Sequence, residues 1–219
     1  MFAGHIGAGL ALARFERRVN AGVFITAALL LDIVLWALVL GGREAVAIPA
    51  DFATSRQPEF TFPLSHGLVA SLAWSALAGL LLFAGAAGQV AARARAAVLV
   101  AGSVFSHWLL DALVHRPELP IAGGLVAGLG LWDQLPVALA VEGAIVVGGL
   151  IAFSAGSHLP RGRSIGLAVL ALLCLAFTVV GMTKAPAPPS AQAMASSSLI
   201  TLAIVCTVAG LLGRRSPSA

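Results

Sequence analysis

Six apolar runs, at 19–40, 64–87, 94–114, 135–153, 165–183 and 197–212, dominate this chain of 219 residues. An α-helix rises about 1.5 Å per residue, so about 20 apolar residues cross a hydrocarbon core of about 30 Å. Inside that core the backbone N–H and C=O groups find no water, and an apolar run can pair them within itself only as a helix. The expected fold is an all-α integral membrane protein with six transmembrane helices. Composition agrees: 10% of the residues are charged, where soluble domains carry about a quarter. The sixth run is short and is expected to extend into its flanking serines.

The net charge of +4 does not indicate nucleic acid, because the 13 basic residues sit in short clusters between the apolar runs. Arg14, Arg17 and Arg18 precede the first run, Arg93 and Arg95 join the second to the third, Arg161 and Arg163 join the fourth to the fifth, and Arg214 and Arg215 follow the sixth. Only Arg43, Arg56, Arg116 and Lys184 fall on the opposite side. The positive-inside rule then puts both termini in the cytoplasm, with the chain in the inner membrane of a bacterium. The alternative, a signal peptide over 14–47 ending at Ala45-Val-Ala47, requires an apolar stretch longer than such peptides carry. Cys174 and Cys206 lie inside apolar runs, which argues against a disulfide framework or a thiolate metal site.

Residues 2–13 are apolar but span only about 18 Å as a helix, too short to cross. They are expected to form a half-helix dipping in from the cytoplasmic side, with an interfacial helix as the alternative. The chain therefore divides into a four-span unit with this half-helix (1–155) and a two-span C-terminal hairpin (156–219).

Ionisable groups inside spans cost about 2.5–3.5 kcal/mol each even on insertion scales, so each calls for a reason. The first four runs hold Asp32, His66, His107, Asp111 and Glu142; the last two hold none. Counting along each helix puts Asp32 about 21 Å and His107 about 18 Å above their flanking arginines, with Asp111 about 6 Å higher. Glu142 falls about 14 Å below Asp133, and His5 reaches about 14 Å along the half-helix. His66 starts just inside the outer boundary. These groups share one slab in the outer half of the bilayer. His107, Asp111 and His115 follow at i, i+4 and i+8, on one helical stripe, and an i,i+4 pair of this kind can hold one metal ion. Imidazole with carboxylate and no thiolate suits Zn²⁺, with Mn²⁺ or Fe²⁺ as further candidates.

Each residue also has a plainer role. His107 and Asp111 can be a hydrogen-bonded structural pair, Asp32 and Glu142 proton-relay groups, His66 a helix cap, and His115 or Arg116 loop residues. His158 lies in a basic loop and is assigned no role. Trp36, Trp108 and Trp132 read as interface or packing residues, and Trp74 as core.

The motifs Phe2-Ala-Gly-His5, Asp32, Pro63-Leu-Ser-His66-Gly-Leu68, Ser106-His107-Trp-Leu-Leu-Asp111, His115-Arg116-Pro-Glu-Leu-Pro120 and Gly128-Leu-Gly-Leu-Trp132 with Glu142 resemble the membrane-bound metal-dependent hydrolase (YdjM-like) family. That family is grouped with the zinc-dependent phospholipase C and single-strand nuclease superfamily. The resemblance covers roughly 2–153. It implies a helical fold and metal ligation by His5, Asp32, His66, His107 and Asp111, with Asp111 bridging if two ions bind. No His-x-x-x-Glu occurs, so one or two ions are expected, with His115 and Glu142 as partial substitutes for the missing ligands.

The function expected from these readings is metal-dependent hydrolysis of phosphoesters, a phospholipid or other lipid-borne substrate among them, at a site facing the outer, periplasmic side. A bound metal would acidify water and polarise a phosphoryl oxygen. Glu142 or Asp32 would accept the proton, and Arg116 would clamp phosphate. Two alternatives stay open on sequence: a small ion-coupled transporter using the same His/Asp/Glu cluster, and a non-catalytic membrane scaffold. Partners are the bilayer and the substrate; no nucleic acid is expected.

Overall fold

The computed structural model describes residues 1–157 and 159–214. His158, given no role above, and Arg215, counted with the last basic cluster, lie outside the described residues. The chain is all-α in its body. The long helices are α5 (Leu68–Gly85), α6 (Val90–Val114), α7 (Leu135–Gly156), α8 (Arg161–Thr183) and α9 (Ala191–Leu212), each long and apolar enough to cross a membrane. Earlier in the chain, α2 (Ala21–Ala28) and α3 (Leu30–Leu40) meet at a 49° bend and supply a sixth crossing if taken as one broken span. The last helix does run into the serines, starting at Ala191 behind a cap in which the Ser190 hydroxyl accepts the Ala193 N–H at 3.1 Å.

The first helix, α1 (Phe2–Ala13), has the bounds expected of the half-helix and lies in the interior, with Ala3, His5, Ile6, Leu10 and Ala13 fully buried. It can sit there because its small residues let other backbones come close. A Cβ built on Gly149 of α7 would fall 2.1 Å from the Gly7 carbonyl oxygen, and one on Gly7 would fall 2.6 Å from that of Ile145. The two helices touch backbone to backbone, the small-residue packing that membrane helices use where no hydrophobic effect drives them together.

The first expected span, 19–40, is not one straight helix. Leu29 takes φ −98° and ψ 1°, and its N–H is shared between the carbonyls of Ile25 and Thr26 at 3.1 and 3.2 Å. No Pro marks the break. What the break does is release the Ala28 carbonyl, which an unbroken helix would pair with the N–H of residue 32. The second span also starts later than expected: 64–67 form a turn, and α5 begins at Leu68.

The 41–63 and 115–134 loops are more ordered than their Pro-rich sequences suggest. One carries an antiparallel ribbon of β1 (Ala45–Ala47) and β2 (Glu59–Thr61) with a short helix, α4 (Phe52–Ser55), between them; the other pairs β3 (Leu119–Pro120) with β4 (Val126–Ala127) and ends in a 3-10 turn at Leu131–Gln134. The described basic clusters collect at the opposite end, where Arg14, Arg17, Arg18 and Arg95 line one cavity and Arg163 donates to the Arg214 carbonyl. The C-terminal hairpin shares the core: Leu167, Ala171, Leu202 and Val205 belong to the same buried cluster as Ile6, Phe24 and Leu31. Asn20 ties it to α2, accepting from the Gly22 N–H and donating to the Gly210 carbonyl, both at 2.8 Å.

Candidate metal centre

Three helices and one turn deliver the polar side chains to one point. His5 comes from α1, Asp32 from the start of α3, His66 from the turn before α5, and His107 and Asp111 from successive turns of α6. Asp111 is the hub. One of its oxygens, Oδ1, lies 3.2 Å from His5 Nε2; the other, Oδ2, lies 3.2 Å from His107 Nε2 and 3.5 Å from His66 Nε2. Asp32 Oδ1 stands 3.7 Å from the Nε2 atoms of both His66 and His107. The sets His5–Asp32–His107 and His66–His107–Asp111 each bring their ligand atoms within 4.8 Å of one another, a spacing that could hold one cation.

The second ring nitrogens fix what the first ones present. The Nδ1–H of His107 donates to the released Ala28 carbonyl at 2.7 Å, and a carbonyl can only accept. Glu44 accepts the Leu64 and Ser65 N–H groups at 2.8 Å each and the Ser65 hydroxyl at 2.7 Å. With its only proton given to Glu44, that hydroxyl must accept from His66 Nδ1, 2.8 Å away. Both rings therefore turn an Nε2 lone pair inward, yet those two atoms are only 3.1 Å apart. Two facing lone pairs repel, and a shared cation or proton relieves this. Partners of this outer kind, a carboxylate, a backbone carbonyl and a hydroxyl, are what orient histidines in metal sites.

His5 adds a further demand. It is fully buried, its ring stacks on His107 at 3.6 Å and 9°, and neither of its ring nitrogens has a hydrogen-bond partner among the described residues. Its Nε2 lies 3.2 Å from Asp111 Oδ1 outside hydrogen-bond geometry, and a buried polar group without a hydrogen bond costs about 1–3 kcal/mol.

His115 caps α6 just beyond this set, with Nε2 3.7 Å from Asp111 Oδ2 and Nδ1 donating to Glu118 at 2.6 Å. Trp132, Phe60 and Phe62 pack around its ring at 4.3, 5.5 and 5.8 Å. It stands beside the two ligand sets rather than in them. Glu142 on α7 is buried, lines the same cavity as Asp32, His66 and Asp111, and accepts the Gly4 N–H at 3.1 Å.

Arg116 is placed differently from the clamp expected of it. Its guanidinium pairs with Asp133 at 2.8 Å, both side chains about half exposed, and it does not line the cavity. The adjoining carboxylate pushes its pKa up, holding it charged at the surface. An exposed pair of this kind contributes about 0–1 kcal/mol. Asp133 also accepts from Gln57 at 3.1 Å, which links the 41–63 and 115–134 loops.

Sequence reading missed Glu44 and Ser65, the Ala28 carbonyl, Glu118, and the α-amino group of Met1, which donates to Asp111 Oδ1 at 2.8 Å. It also missed Arg56, which lines the cavity and donates to the Ala185 carbonyl. The i,i+3 spacing of His115 and Glu118 was the one signal available beforehand. Asp32, Asp111 and Glu142 place three carboxylates on the cavity against the Met1 ammonium and the Arg56 guanidinium, an excess of negative charge that suits a cation. No family model, curated protein or solved structure matches the chain.

Proposed function

We propose that this chain is a membrane-embedded, metal-dependent hydrolase of phosphoesters, related to the membrane-bound metal-dependent hydrolases it resembles. The observation that carries the reading is the 3.1 Å approach of the His66 and His107 Nε2 atoms, with both Nδ1 positions already committed to acceptors. Asp32, His66, His107 and Asp111, with His5 beside them, would hold one or two ions. Zn²⁺ fits this nitrogen and oxygen donor set best, with Mn²⁺ or Fe²⁺ as alternatives. A divalent cation there supplies Lewis acidity toward a phosphoryl oxygen and toward water.

The chain's own groups do the rest. Glu142 stands outside both ligand sets but on the same cavity, and takes the proton of the attacking water as that oxygen bonds to phosphorus. The ester P–O bond breaks, and the leaving alcohol oxygen takes up the proton that Glu142 accepted, which returns Glu142 to its carboxylate form. Asp111 anchors three imidazoles at once. Phe60, Phe62 and Trp132 keep bulk water from the His115 side of the site. The reading sets both termini on the cytoplasmic side of a bacterial inner membrane and the cluster toward the outer side, which the distribution of basic residues supports.

The test is turnover of a phosphoester panel by metal-loaded protein. Glu142→Gln is expected to keep its metal and lose about 10²–10⁴-fold in rate, the usual contribution of a general base. Flux through proteoliposomes that depends on Asp32 and Glu142, with no product formed, would replace this reading with a transporter. A metal-bound protein inert in both assays would mark a scaffold.

The outer partners carry a prediction of their own. Glu44→Gln weakens the anchor of the 64–66 turn and the Ser65 link to His66, and should lower metal affinity by about 10–100-fold. Competition against a chelator measures it; unchanged affinity would remove Glu44 from the site.

A further inference from the structure

A cavity of about 410 Å³ opens from the cluster, within the range of about 300–1,000 Å³ typical of ligand sites. One end of it is ionic, formed by Asp32, His66, Asp111 and Glu142. The remaining wall is mainly apolar, with the hydroxyls of Thr178, Ser197, Ser198 and Thr201 set in it. Much of it comes from α8 and α9, the two helices that carry no charged residue or histidine within their apolar runs: Phe177, Gly181, Met182, Met194 and Leu202 line it together with Leu35 and Trp36 of α3. Phe177, 59% exposed, belongs both to this wall and to a helix long and apolar enough to cross a membrane. Arg56 stands where the β1–β2 ribbon meets the α8–α9 connection, held in the left-handed region (φ 56°) and donating to Ala185.

We propose that this cavity binds the hydrocarbon chain of an anionic, lipid-borne phosphoester, with the head at the histidine–aspartate cluster and Arg56 at the mouth. The inference rests on the hydrolase reading for the identity of the head, and on the apolar wall alone for the chain. A soluble sugar or nucleotide phosphate would leave the apolar part of this wall bare, whereas each methylene buried against it strengthens binding. The C-terminal hairpin is then the part of the protein that selects for chain length.

The experiment uses the full chain in nanodiscs, metal-loaded, titrated with hexadecyl phosphate and with butyl phosphate, each corrected against empty nanodiscs. A Cβ at Gly181 would meet no atom within 4 Å, so Gly181→Phe fills the cavity without pushing on backbone; Ser198→Phe fills it from α9. Wild type should bind hexadecyl phosphate saturably and at least about tenfold more tightly than butyl phosphate. Either variant should erase that preference and leave butyl phosphate within about twofold, because only chain contacts are lost. Equal hexadecyl phosphate affinity in wild type and both variants overturns the proposal, as does parallel loss of both ligands. Hydrolysis, read in the same samples, separates the two claims. Chain-dependent binding without turnover keeps the chain site and ends the hydrolase reading; turnover of butyl phosphate with no chain preference does the reverse.

Discussion

Asp111→Asn should leave the purified protein without its divalent cation and reduce phosphoester turnover to background. Three of its four neighbours within 3.5 Å are imidazole Nε2 atoms, those of His5, His66 and His107, and the fourth is the Met1 α-amino nitrogen. An amide of the same shape keeps the packing but removes the charge that balances a cation, and it turns an N–H₂ donor toward nitrogen atoms or a metal. Outer-shell substitutions commonly cost about 10–100-fold in metal affinity, and a central ligand should cost more. Metal content per protein after desalting, measured beside the thermal unfolding curve, checks this. A folded Asp111→Asn protein that still carries a full equivalent would show that Asp111 ligates nothing.

The second large effect comes from a residue with no chemistry. Gly149→Val places a branched side chain where a Cβ alone would already lie 2.1 Å from the Gly7 carbonyl oxygen. The obstacle is backbone, so no rotamer change relieves it and α1 must move away from α7. Overpacking typically costs about 1–3 kcal/mol, occasionally more, and a backbone clash belongs at the upper end. For a chain of this length that corresponds to a drop of about 5–10 °C in Tm. Because α1 carries His5 and its Gly4 N–H bonds Glu142, the variant should also lose metal. Gly148→Ala, where an added Cβ meets nothing within 4 Å, should do neither. Equal stability of the two variants would contradict the packing described for α1.

Much of this architecture could be read from the sequence, because its signals are local. The apolar runs mark the long helices since length and hydropathy are properties of a contiguous stretch. The half-helix bounds, Phe2–Ala13, follow from an apolar run that ends before Arg14. Asp32, His107 and Asp111 stand out because a polar group amid apolar neighbours needs a partner, and the i,i+4 stripe of α6 brings His107 and Asp111 together whatever surrounds them.

What was not legible depends on long-range contacts. The bend at Leu29 has no Pro behind it; its product, the Ala28 carbonyl, has meaning only once His107 arrives from 79 positions away. Glu44 is one of three acids in its loop, and nothing local distinguishes it from Asp51 or Glu59, both exposed, until the 64–66 turn folds onto its carboxylate. Arg116 shows the converse. Its place beside His115 suggested a phosphate clamp, but Asp133, 17 positions on, takes the guanidinium. The last two helices carry no charged residue or histidine within their apolar runs, and their scattered serines and threonines are common in membrane helices, so sequence could not show that they wall the cavity beside the cluster.

The central claim is that the inward Nε2 atoms of His66 and His107 share a cation with the neighbouring carboxylates. X-ray absorption at the metal edge of protein loaded with zinc and then desalted tests it most directly. The account predicts retained zinc with nitrogen and oxygen ligands at about 2.0–2.1 Å and outer scattering from at least two imidazoles, reduced by one imidazole in His66→Ala. Wild-type protein that keeps no zinc, manganese or iron after loading, or whose metal spectrum is unchanged by His66→Ala, would contradict it.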